Sequence, residues 1–328
     1  MHNDLDIGIL GYGSQGSKIS QIVHNRIKKK ILIFSSKKKS NTRTYIFTKK
    51  LFLLKKCKII FICSPSFTHY KYLEYFKNTA EYIFCEKPPF NKISEFRKLK
   101  KFSKNNKKKI YFNFNYLFSN QYKILKRKLL SNKMGNLIDI NISIGNGISF
   151  KKKLINSWRS NNDSIFTGII GNLGIHYINL LTDLLGDVKI TDIKLKKVGN
   201  FRIPDTVLIN TNSKKNITSR IFLTYASPFH QNIKVTFSNS IVEICNQKII
   251  EYYPRDTFDK YNRFIKPKKK ILYNKKSNSI WRDTLSKSIE YFLSHAMKKK
   301  FFSDKKFETN IEQVKIILDK LHGKRRFK

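Results

Sequence analysis

Acidic residues are scarce in this chain. Among its 328 residues there are 22 aspartates and glutamates against 67 lysines and arginines, which gives a formal net charge of +45. Long apolar runs are absent as well, since no stretch approaches the roughly 18 consecutive apolar residues that a transmembrane helix requires. The first residues already have the pattern of a strand, which predicts that no signal peptide precedes the fold. We therefore expect a cytoplasmic protein without a membrane partner.

The excess of lysine suggests a protein that binds nucleic acid, because a polycation attracts any polyanion. The composition favours a different cause. Lysine outnumbers arginine 55 to 12 and alanine occurs only 3 times, which is typical of the codon usage of an AT-rich genome. Nucleic-acid-binding proteins more often concentrate their charge on one face and use arginine, whereas the lysine runs here are spread along the chain. We expect no specific nucleic-acid partner.

Cysteine is also infrequent. Its four positions show neither a C-x-x-C pair nor the spacing of metal ligands. The sequence thus predicts reduced cysteines in the core and no metal site. These residues are Cys57, Cys63, Cys85 and Cys245.

A short apolar run near the N-terminus ends in closely spaced glycines. Ile7, Ile9 and Leu10 suit a buried parallel strand, and the G-x-G-x-x-G spacing that follows lets a backbone turn tightly and approach a pyrophosphate. Apolar residues then recur at helical intervals from Ile19 to Ile27, so the helix directs its N-terminal amides at the phosphates. The sequence predicts a dinucleotide site. Its residues in this turn are Gly11, Tyr12, Gly13, Ser14, Gln15 and Gly16.

The residues after the second strand bear on the choice of cofactor. An NAD site places an aspartate or glutamate about 20 residues beyond the glycines, where it binds the ribose hydroxyls. Here Ser35, Ser36 and Lys37 follow the predicted strand 31–34, and Arg43 comes slightly later. Small hydroxyls and cations would accommodate a 2′-phosphate, which favours NADP over NAD. The alternative is that these lysines only reflect the excess of lysine in the whole chain.

Strands and helices alternate as far as residue 118. Three strands are predicted after the first two, at 58–63, 82–85 and 110–116. Helices separate them, which predicts the fold class α/β with a parallel, doubly wound sheet. We assign residues 1–118 to a dinucleotide-binding domain.

Beyond residue 118 the pattern changes. After a helix at 121–130, the segment 137–144 alternates apolar and polar residues as a half-exposed strand does. Further strands are predicted at 189–198, 206–212, 216–225, 231–238 and 240–246, and helices at 279–297 and 310–321. Successive strands indicate a largely antiparallel open sheet. Residues 119–328 are therefore predicted to form an α+β domain.

Four polar residues recur in an apolar stretch that is flanked by glycines. In a helix that begins near Gly171, the side chains of Asn172, His176, Asn179 and Asp183 lie on one face. Such a stripe fits the wall of a pocket. It equally fits a core histidine that is hydrogen-bonded to neighbouring amides.

Together, these motifs resemble the Gfo/Idh/MocA family, the oxidoreductases named after glucose-fructose oxidoreductase and inositol dehydrogenase. The likeness spans essentially the whole chain. It rests on the order and spacing of the glycine turn, Ser64-Pro65 to His69, Glu86-Lys87-Pro88, Trp158-Arg159 and the glycine-rich helix with His176. The resemblance implies an N-terminal Rossmann domain and a C-terminal α/β domain, residues 119–328, that serves substrate binding and oligomerisation. It also implies a homo-oligomer, either a dimer or a tetramer. It also implies hydride transfer between a nicotinamide and a hydroxyl or keto carbon of a sugar, nucleotide sugar, sugar acid or cyclitol.

The resemblance also assigns roles to residues. Lys87 would hydrogen-bond the reacting oxygen, with a cis peptide before Pro88 as the family often has, and His176 would take the hydroxyl proton as hydride leaves. Glu86 would orient Lys87 or lie against the nicotinamide. Further cofactor contacts are predicted for Ser35, Ser36, Lys37, Ser64, Pro65, His69, Glu86 and Lys87. Substrate contacts are predicted for Asn113, Asn115, Tyr116, Arg159, Asn172, His176 and Asn179. For His69 the alternative is a capping or packing role.

The chain departs from the family at two positions. The family commonly has an aspartate four residues before the histidine and often another three residues after it, where this chain has Asn172 and Asn179. An amide can bond a sugar hydroxyl but cannot stabilise an imidazolium by charge or accept a proton, although Asp183 could stand in. Three interpretations remain: His176 and Lys87 suffice, the reaction is altered, or catalysis is lost. The last would make the chain a non-catalytic protein that binds a nucleotide or sugar, rather than an NAD(P)-dependent dehydrogenase or reductase.

Overall fold

The computed structural model describes residues 6–37, 39–156, 160, 168–274 and 280–325. The described chain divides into two compact units. The first unit contains the residues up to Asn115 and the segment Thr284–Leu318, and the second contains Tyr116–Asp283 and the residues from Asp319 on. Each unit is built around a sheet of its own.

The regular elements follow one another in two series. In chain order the strands are β1 (Ile7–Leu10), β2 (Ile31–Phe34), β3 (Tyr45–Thr48), β4 (Ile59–Ile62), β5 (Tyr82–Cys85), β6 (Ile110–Phe112), β7 (Leu137–Gly145), β8 (Val188–Lys196), β9 (Thr206–Ser213), β10 (Thr218–Thr224), β11 (His230–Phe237), β12 (Ile241–Cys245), β13 (Lys248–Tyr253) and β14 (Lys268–Asn274). The α-helices are α1 (Ser14–Ile27), α2 (His69–Phe76), α3 (Ile93–Lys100), α4 (Lys104–Lys109), α5 (Asn120–Leu129), α6 (Lys152–Ile155), α7 (Ile175–Leu185), α8 (Ile280–Met297) and α9 (Asp304–Arg325).

The sheet of the first unit has six parallel strands in the order β3-β2-β1-β4-β5-β6. The chain winds from β1 outwards to β3 and then from β4 outwards to β6, which confirms the doubly wound α/β sheet. Strands β1 and β5 are buried at every position. That is the pattern of parallel strands covered on both faces, and it explains why their sequences are continuous apolar runs.

Two details of this sheet differ from the prediction. Strand β3 was not predicted, because its four half-buried residues follow a polar, lysine-rich stretch and lie at the edge of the sheet. The strand predicted at 110–116 ends at Phe112, and a 3-10 turn begins at Asn115. The carboxyl end of β6 therefore lies earlier in the chain than its sequence pattern suggests.

The segment Thr284–Leu318 belongs to the first unit by its contacts, although the predicted boundary at residue 118 placed it with the second domain. The residues of α8 that lie in this segment complete the apolar cluster of the parallel sheet. The ring of Phe292 meets Phe61 and Phe84 edge on, at centroid distances of 5.2 and 5.3 Å. This apolar face of the helix explains why a segment so late in the chain packs with the N-terminal strands.

The sheet of the second unit has eight strands in the order β14-β13-β12-β11-β7-β10-β9-β8. Strands β7 and β10 pair in parallel, and the other neighbours are antiparallel, which confirms a largely antiparallel sheet. The predicted period of two in β7 is observed, since Ile140, Ile142 and Ile144 are buried. Strands β13 and β14 were not predicted.

None of the helices in the described residues is both long and apolar enough to cross a membrane. All four cysteines are free thiols. Cys57, Cys63 and Cys85 are buried, but Cys245 is exposed, so the prediction of a core position is wrong for Cys245.

Candidate active site

The glycine turn links β1 to α1 in the first unit, next to the point where the strand order reverses between β1 and β4. Ligands of doubly wound sheets bind at this crevice. Gly11 has a φ of +93°, and a Cβ there would lie 2.9 Å from the backbone of Cys63 and Ser64. A Cβ on Gly16 would lie 2.0 Å from the carbonyl oxygen of Gly11. Both positions therefore require glycine for the turn itself.

Gly13 has a different role. It precedes α1 with an extended backbone (φ −81°, ψ −165°), and a Cβ at this position would meet no atom within 4 Å among the described residues. Gly13 and Ser14 are exposed, and the first amides of a helix have no partner within the helix. The turn thus presents open backbone amides, which fits the diphosphate of a dinucleotide.

The predicted ribose-binding residues follow β2. Ser35 is buried; its amide donates to the carbonyl oxygen of Thr48 and its hydroxyl to that of Lys37, at 3.1 Å each. Ser36 and Lys37 are exposed. Tyr12, also predicted to contact the cofactor, packs edge on against Phe47, with ring centroids 4.9 Å apart.

His69 joins two turns at the carboxyl ends of β4 and β5. Its Nδ1 lies 2.6 Å from the carbonyl oxygen of Pro88, and its Nε2 lies 2.8 Å from that of Ser64. Burial lowers the pKa of His69, against the opposing effect of these two carbonyl groups, and the charge of Lys87 lowers it further. Both nitrogens are engaged within the unit, which favours the packing role and argues against contact with a cofactor.

Ser64 and Pro65, two further predicted cofactor contacts, form the turn between β4 and α2. The hydroxyl of Ser64 lies 2.6 Å from that of Thr68. The Lys87-Pro88 peptide is cis, as the resemblance implies, and Lys87 itself is half-buried.

Glu86 is the centre of a buried hydrogen-bond network at the end of β5. Its Oε1 accepts from Nε2 of Gln15 in the glycine turn at 3.2 Å and from Nδ2 of Asn113 after β6 at 2.7 Å. Ser288 of α8 donates to Oδ1 of Asn113 at 2.7 Å. Burial raises the pKa of Glu86, and the hydrogen bonds and the charge of Lys87 oppose this rise. The network fixes Glu86 against the glycine turn.

Asn113 and Asn115, which were predicted to bind substrate, are both hydrogen-bonded to other residues of the first unit. Asn113 is only 1% exposed and uses both ends of its amide within the unit, which argues against its predicted role. Asn115 donates to the hydroxyl of Thr284 at 2.8 Å. A third, Arg159, lies outside the described residues.

The polar stripe of the second unit is not a single α-helix that begins near Gly171. A π-helical turn spans Ile170–Gly174 and leads into α7, so Asn172 lies in the wide turn and His176 in the first turn of α7. π-turns of this kind are frequent at functional sites. His176 is 6% exposed and Asn179 only 1%.

Two side chains from α5 hold Asp183. It accepts hydrogen bonds from the hydroxyl of Tyr122 and from Nζ of Lys126, the latter at 2.8 Å. These contacts argue against its standing in for an acid beside His176.

His176 stacks on Tyr116, whose ring also borders a cavity. Their ring centroids are 3.9 Å apart and their planes differ by 10°. The cavity measures about 230 Å³. We call it the polar cavity; its lining residues come from the π-turn and from the sheet, and they are Tyr116, Ile144, Asn146, Ile148, Asn172, Leu173, Tyr225, Phe229 and Gln231.

Sequence reasoning missed most of this lining. Asn146 and Tyr225 follow the ends of β7 and β10, and Gln231 lies on β11 opposite Ile144. The available signal was a polar or aromatic residue directly after an alternating strand. Without the register of β7, β10 and β11, that signal could not show which strand ends lie together.

Two family models match these two parts of the chain. Residues 5–114 match the oxidoreductase family with an NAD-binding Rossmann fold, and residues 126–251 match the C-terminal α/β domain of the oxidoreductase family, both of the Gfo/Idh/MocA group. The chain belongs to the Gfo/Idh/MocA oxidoreductase family. The first unit of this Gfo/Idh/MocA protein therefore carries the family's NAD-binding fold.

Individual relatives agree with this assignment. The glucose-6-phosphate 3-dehydrogenase of Bacillus subtilis (strain 168) is 25% identical over 189 residues, which are 57% of this chain and 51% of that protein. The Gfo/Idh/MocA chain thus spans about half the length of the curated relative that it matches.

Solved structures show the same fold. A levoglucosan dehydrogenase in complex with NADH and levoglucosan has a TM-score of 0.78 at 13% identity over 97% of each chain. A myo-inositol dehydrogenase from Corynebacterium glutamicum ATCC 13032 has a TM-score of 0.72 at 16% identity, over 97% of this chain and 96% of that one.

Proposed function

We propose that this protein is a nicotinamide-dependent dehydrogenase or reductase that acts on the CH–OH carbon of a small sugar or cyclitol. The open space over Gly13, at the N-terminus of α1 and at the switch point of the sheet, carries the proposal, because it suits a dinucleotide diphosphate. The polar cavity beside His176 supplies amide and phenol groups for hydroxyls. The sugar and cyclitol dehydrogenases among its relatives support this substrate class.

The proposed roles follow from the chemistry of each side chain. A bound nicotinamide supplies the hydride acceptor or donor. Lys87 hydrogen-bonds the reacting oxygen, and His176 takes the hydroxyl proton, since an imidazole can accept or release a proton near neutral pH. Glu86, fixed by Gln15 and Asn113, holds the end of β5 from which Lys87 projects.

We further propose that NADP is preferred over NAD. The sequence has no acidic residue from Ile31 to Leu73, so the end of β2 has no nearby carboxylate in the chain to bind ribose hydroxyls. Ser36 and Lys37 are exposed there, and a hydroxyl with a cation suits a 2′-phosphate.

Turnover across a panel of sugars and cyclitols tests the function. The purified chain is mixed with NADP or NAD and each compound, and the absorbance of reduced nicotinamide is followed. We expect turnover that Lys87→Met and His176→Gln each reduce by roughly 100-fold or more, the usual contribution of a proton-transfer group. Lys71→Met, which removes an exposed lysine of α2, is the matched control and should retain full activity.

The alternative is a non-catalytic nucleotide- or sugar-binding protein. The amides of Asn172 in the π-helical turn and of Asn179 on α7 are the observation that favours it, because neither can take a proton. Cofactor binding without turnover of any compound would support this alternative and contradict the proposed function.

A further inference from the structure

The loop between β13 and β14, residues 254–267, exposes aromatic rings to solvent. Phe258 is 48% exposed, Tyr261 64% and Phe264 84%, and Phe264 is the most exposed large apolar side chain among the described residues. A cluster of exposed apolar side chains marks a site of interaction, whereas single exposed apolar residues are common. We call this segment the aromatic loop.

The tip of the aromatic loop, residues 259–263, is held together by Asp259. Its Oδ1 accepts hydrogen bonds from the amides of Tyr261 and Arg263, at 2.8 and 3.0 Å, and its Oδ2 accepts one from Nε of Arg263 at 2.9 Å. The guanidinium of Arg263 also lies over the ring of Tyr261, 5.0 Å from its centroid. These contacts within the tip give it a defined conformation.

Two phenylalanines flank the tip and pack on each other. Phe258 and Phe264 lie opposite one another as an antiparallel bridge, and their ring centroids are 4.7 Å apart. The amide of Ile265 donates to the carbonyl oxygen of Thr257 at 2.7 Å, which closes the bridge on the side away from the tip. The two rings are therefore in place before a partner binds, so that binding loses little conformational entropy.

The aromatic loop and the start of β14 are strongly basic. From residue 254 to residue 270 the sequence has seven cationic side chains against two acidic ones, and the only ion pair that the described residues form in this segment joins Arg263 to Asp259. A second copy of this chain, with its net charge of +45, is repelled by the segment, whereas a polyanion is attracted. The cationic residues are Arg255, Lys260, Arg263, Lys266, Lys268, Lys269 and Lys270.

The order of residues in the loop argues against a lipid bilayer as the partner. A loop that enters a bilayer tip first would carry the charges of Asp259, Lys260 and Arg263 into the apolar region ahead of the two phenylalanines. Charged side chains are strongly unfavourable there. The rings are better placed for a partner that approaches the side of the loop.

Single-stranded nucleic acid has both properties that the loop requires. Its phosphates are anionic, and the flat faces of its bases stack on aromatic side chains whatever the sequence. Proteins that bind single strands combine such rings with surrounding cations. In a duplex, by contrast, neighbouring base pairs cover the faces of the bases.

We propose that the aromatic loop binds single-stranded nucleic acid without sequence preference, with a base stacked on the Phe258–Phe264 pair and the surrounding lysines close to the phosphates. The expectation of no specific nucleic-acid partner concerned recognition of a sequence, which this contact does not need. The contact is also independent of the proposed oxidoreductase function, which uses other residues.

Two oligomers of equal charge test the proposal on the full chain. One is an oligothymidylate of about 15 nucleotides, within the usual site sizes, and the other is an abasic oligomer of the same length. Both are labelled with fluorescein and titrated by fluorescence anisotropy. The charge of the protein attracts both, but only the first offers bases. We expect the oligothymidylate to bind at least roughly 5-fold more tightly, the lower end of the effect of one stacked base.

Variants of Phe264 show whether the ring causes this preference. Phe264→Leu should remove most of the preference and leave the affinity for the abasic oligomer unchanged. Phe264→Tyr keeps the aromatic face and should keep the preference. Phe52→Leu is the matched control, because Phe52 is also an exposed phenylalanine close in sequence to Lys50 and Lys55 but lies outside the aromatic loop. Its preference should equal that of the wild type.

Several results would overturn the proposal. They are equal affinity of the wild type for the two oligomers, an undiminished preference in Phe264→Leu, and an equal loss of affinity for both oligomers in that variant. If Phe264→Leu instead weakens binding to phosphatidylserine vesicles, or self-association in sedimentation, while the preference for bases persists, the loop binds a bilayer or a second copy and the proposal is wrong. Turnover of sugar with nicotinamide should be unchanged in Phe264→Leu, so a failure of this proposal leaves the proposed function intact.

Discussion

The imidazole of His176 lies parallel to the phenol ring of Tyr116, with the ring centroids 3.9 Å apart. Tyr177 meets the same phenol edge on at 5.7 Å, so the stack is itself supported. An aromatic face attracts a cation. Whereas the amides of Asn172 and Asn179 bring no charge to His176, the face of Tyr116 can stabilise an imidazolium and hold the ring in one orientation.

Removal of this stack should slow turnover without abolishing it. Stacked rings contribute about 0.5–1.5 kcal/mol, so Tyr116→Leu should lower kcat by roughly 2- to 10-fold. Tyr116→Phe keeps the aromatic face and should retain most of the activity. Steady-state kinetics of both variants measure this effect. Equal losses in the two variants would show that the hydroxyl, and not the ring face, is what matters.

Gly13→Ala should separate folding from cofactor binding. The added methyl group meets open space among the described residues and suits the extended backbone, so the melting temperature should not change. A diphosphate that approaches the turn would meet the methyl group, and cofactor affinity should fall at least roughly 10-fold, about 1.4 kcal/mol. Fluorescence titration with NADP measures this affinity. Gly147→Ala, where the nearest atom to the new Cβ is 3.5 Å away, is the matched control, and unchanged affinity in Gly13→Ala would contradict the diphosphate site.

Ser36→Glu should reverse the preference for cofactor. A carboxylate after β2 can bind ribose hydroxyls and repels a 2′-phosphate. Interactions with charged groups contribute about 1.5–3 kcal/mol, so the ratio of NADP to NAD affinity should fall by roughly 10- to 100-fold. Ser36→Gln, similar in size but uncharged, is the control. If the wild type already prefers NAD, the NADP assignment is wrong.

Glu86 should make stability depend on pH. Burial raises the pKa of Glu86 in the folded state, so the folded protein loses stability relative to the unfolded chain as the pH rises through that raised value. Glu86→Gln removes the charge, and its free energy of unfolding should exceed that of the wild type above this pH. Below the ordinary glutamate pKa of about 4.3 the difference should vanish.

Urea unfolding at a series of pH values measures this difference. Glu290→Gln, at an exposed position of α8, should leave the curve unchanged. A stabilising effect of Glu86→Gln that grows as the pH falls would contradict the assigned direction.

The sequence was sufficient to predict those elements of the fold that depend on one short segment. The strand β1 and its glycine turn were predictable because apolar residues and glycines act within a dozen residues. Strand β14 was not, because Lys268, Lys269 and Lys270 suit an edge strand as well as a loop, and β14 lies at the edge of its sheet. Only the pairing with β13 distinguishes the two.

In the candidate site, too, some residues could be predicted from the sequence and others could not. Lys87 and His176 could be named from short motifs, but Gln231 could not, because its place in the lining of the polar cavity depends on the register of β11 against β7. Asn113 shows the opposite error. Its position after β6 suggested a substrate ligand, and only the structure shows that Glu86 and Ser288 occupy its amide.

Transfer of deuterium tests the central claim most directly. Reduced dinucleotide labelled with deuterium at C4 of the nicotinamide is incubated with the protein and the oxidised form of each sugar or cyclitol of the panel. Mass spectrometry should find deuterium on the carbon of the newly formed hydroxyl, and Lys87→Met should suppress its appearance. If the dinucleotide binds and no deuterium reaches any sugar or cyclitol, hydride transfer by this chain is contradicted.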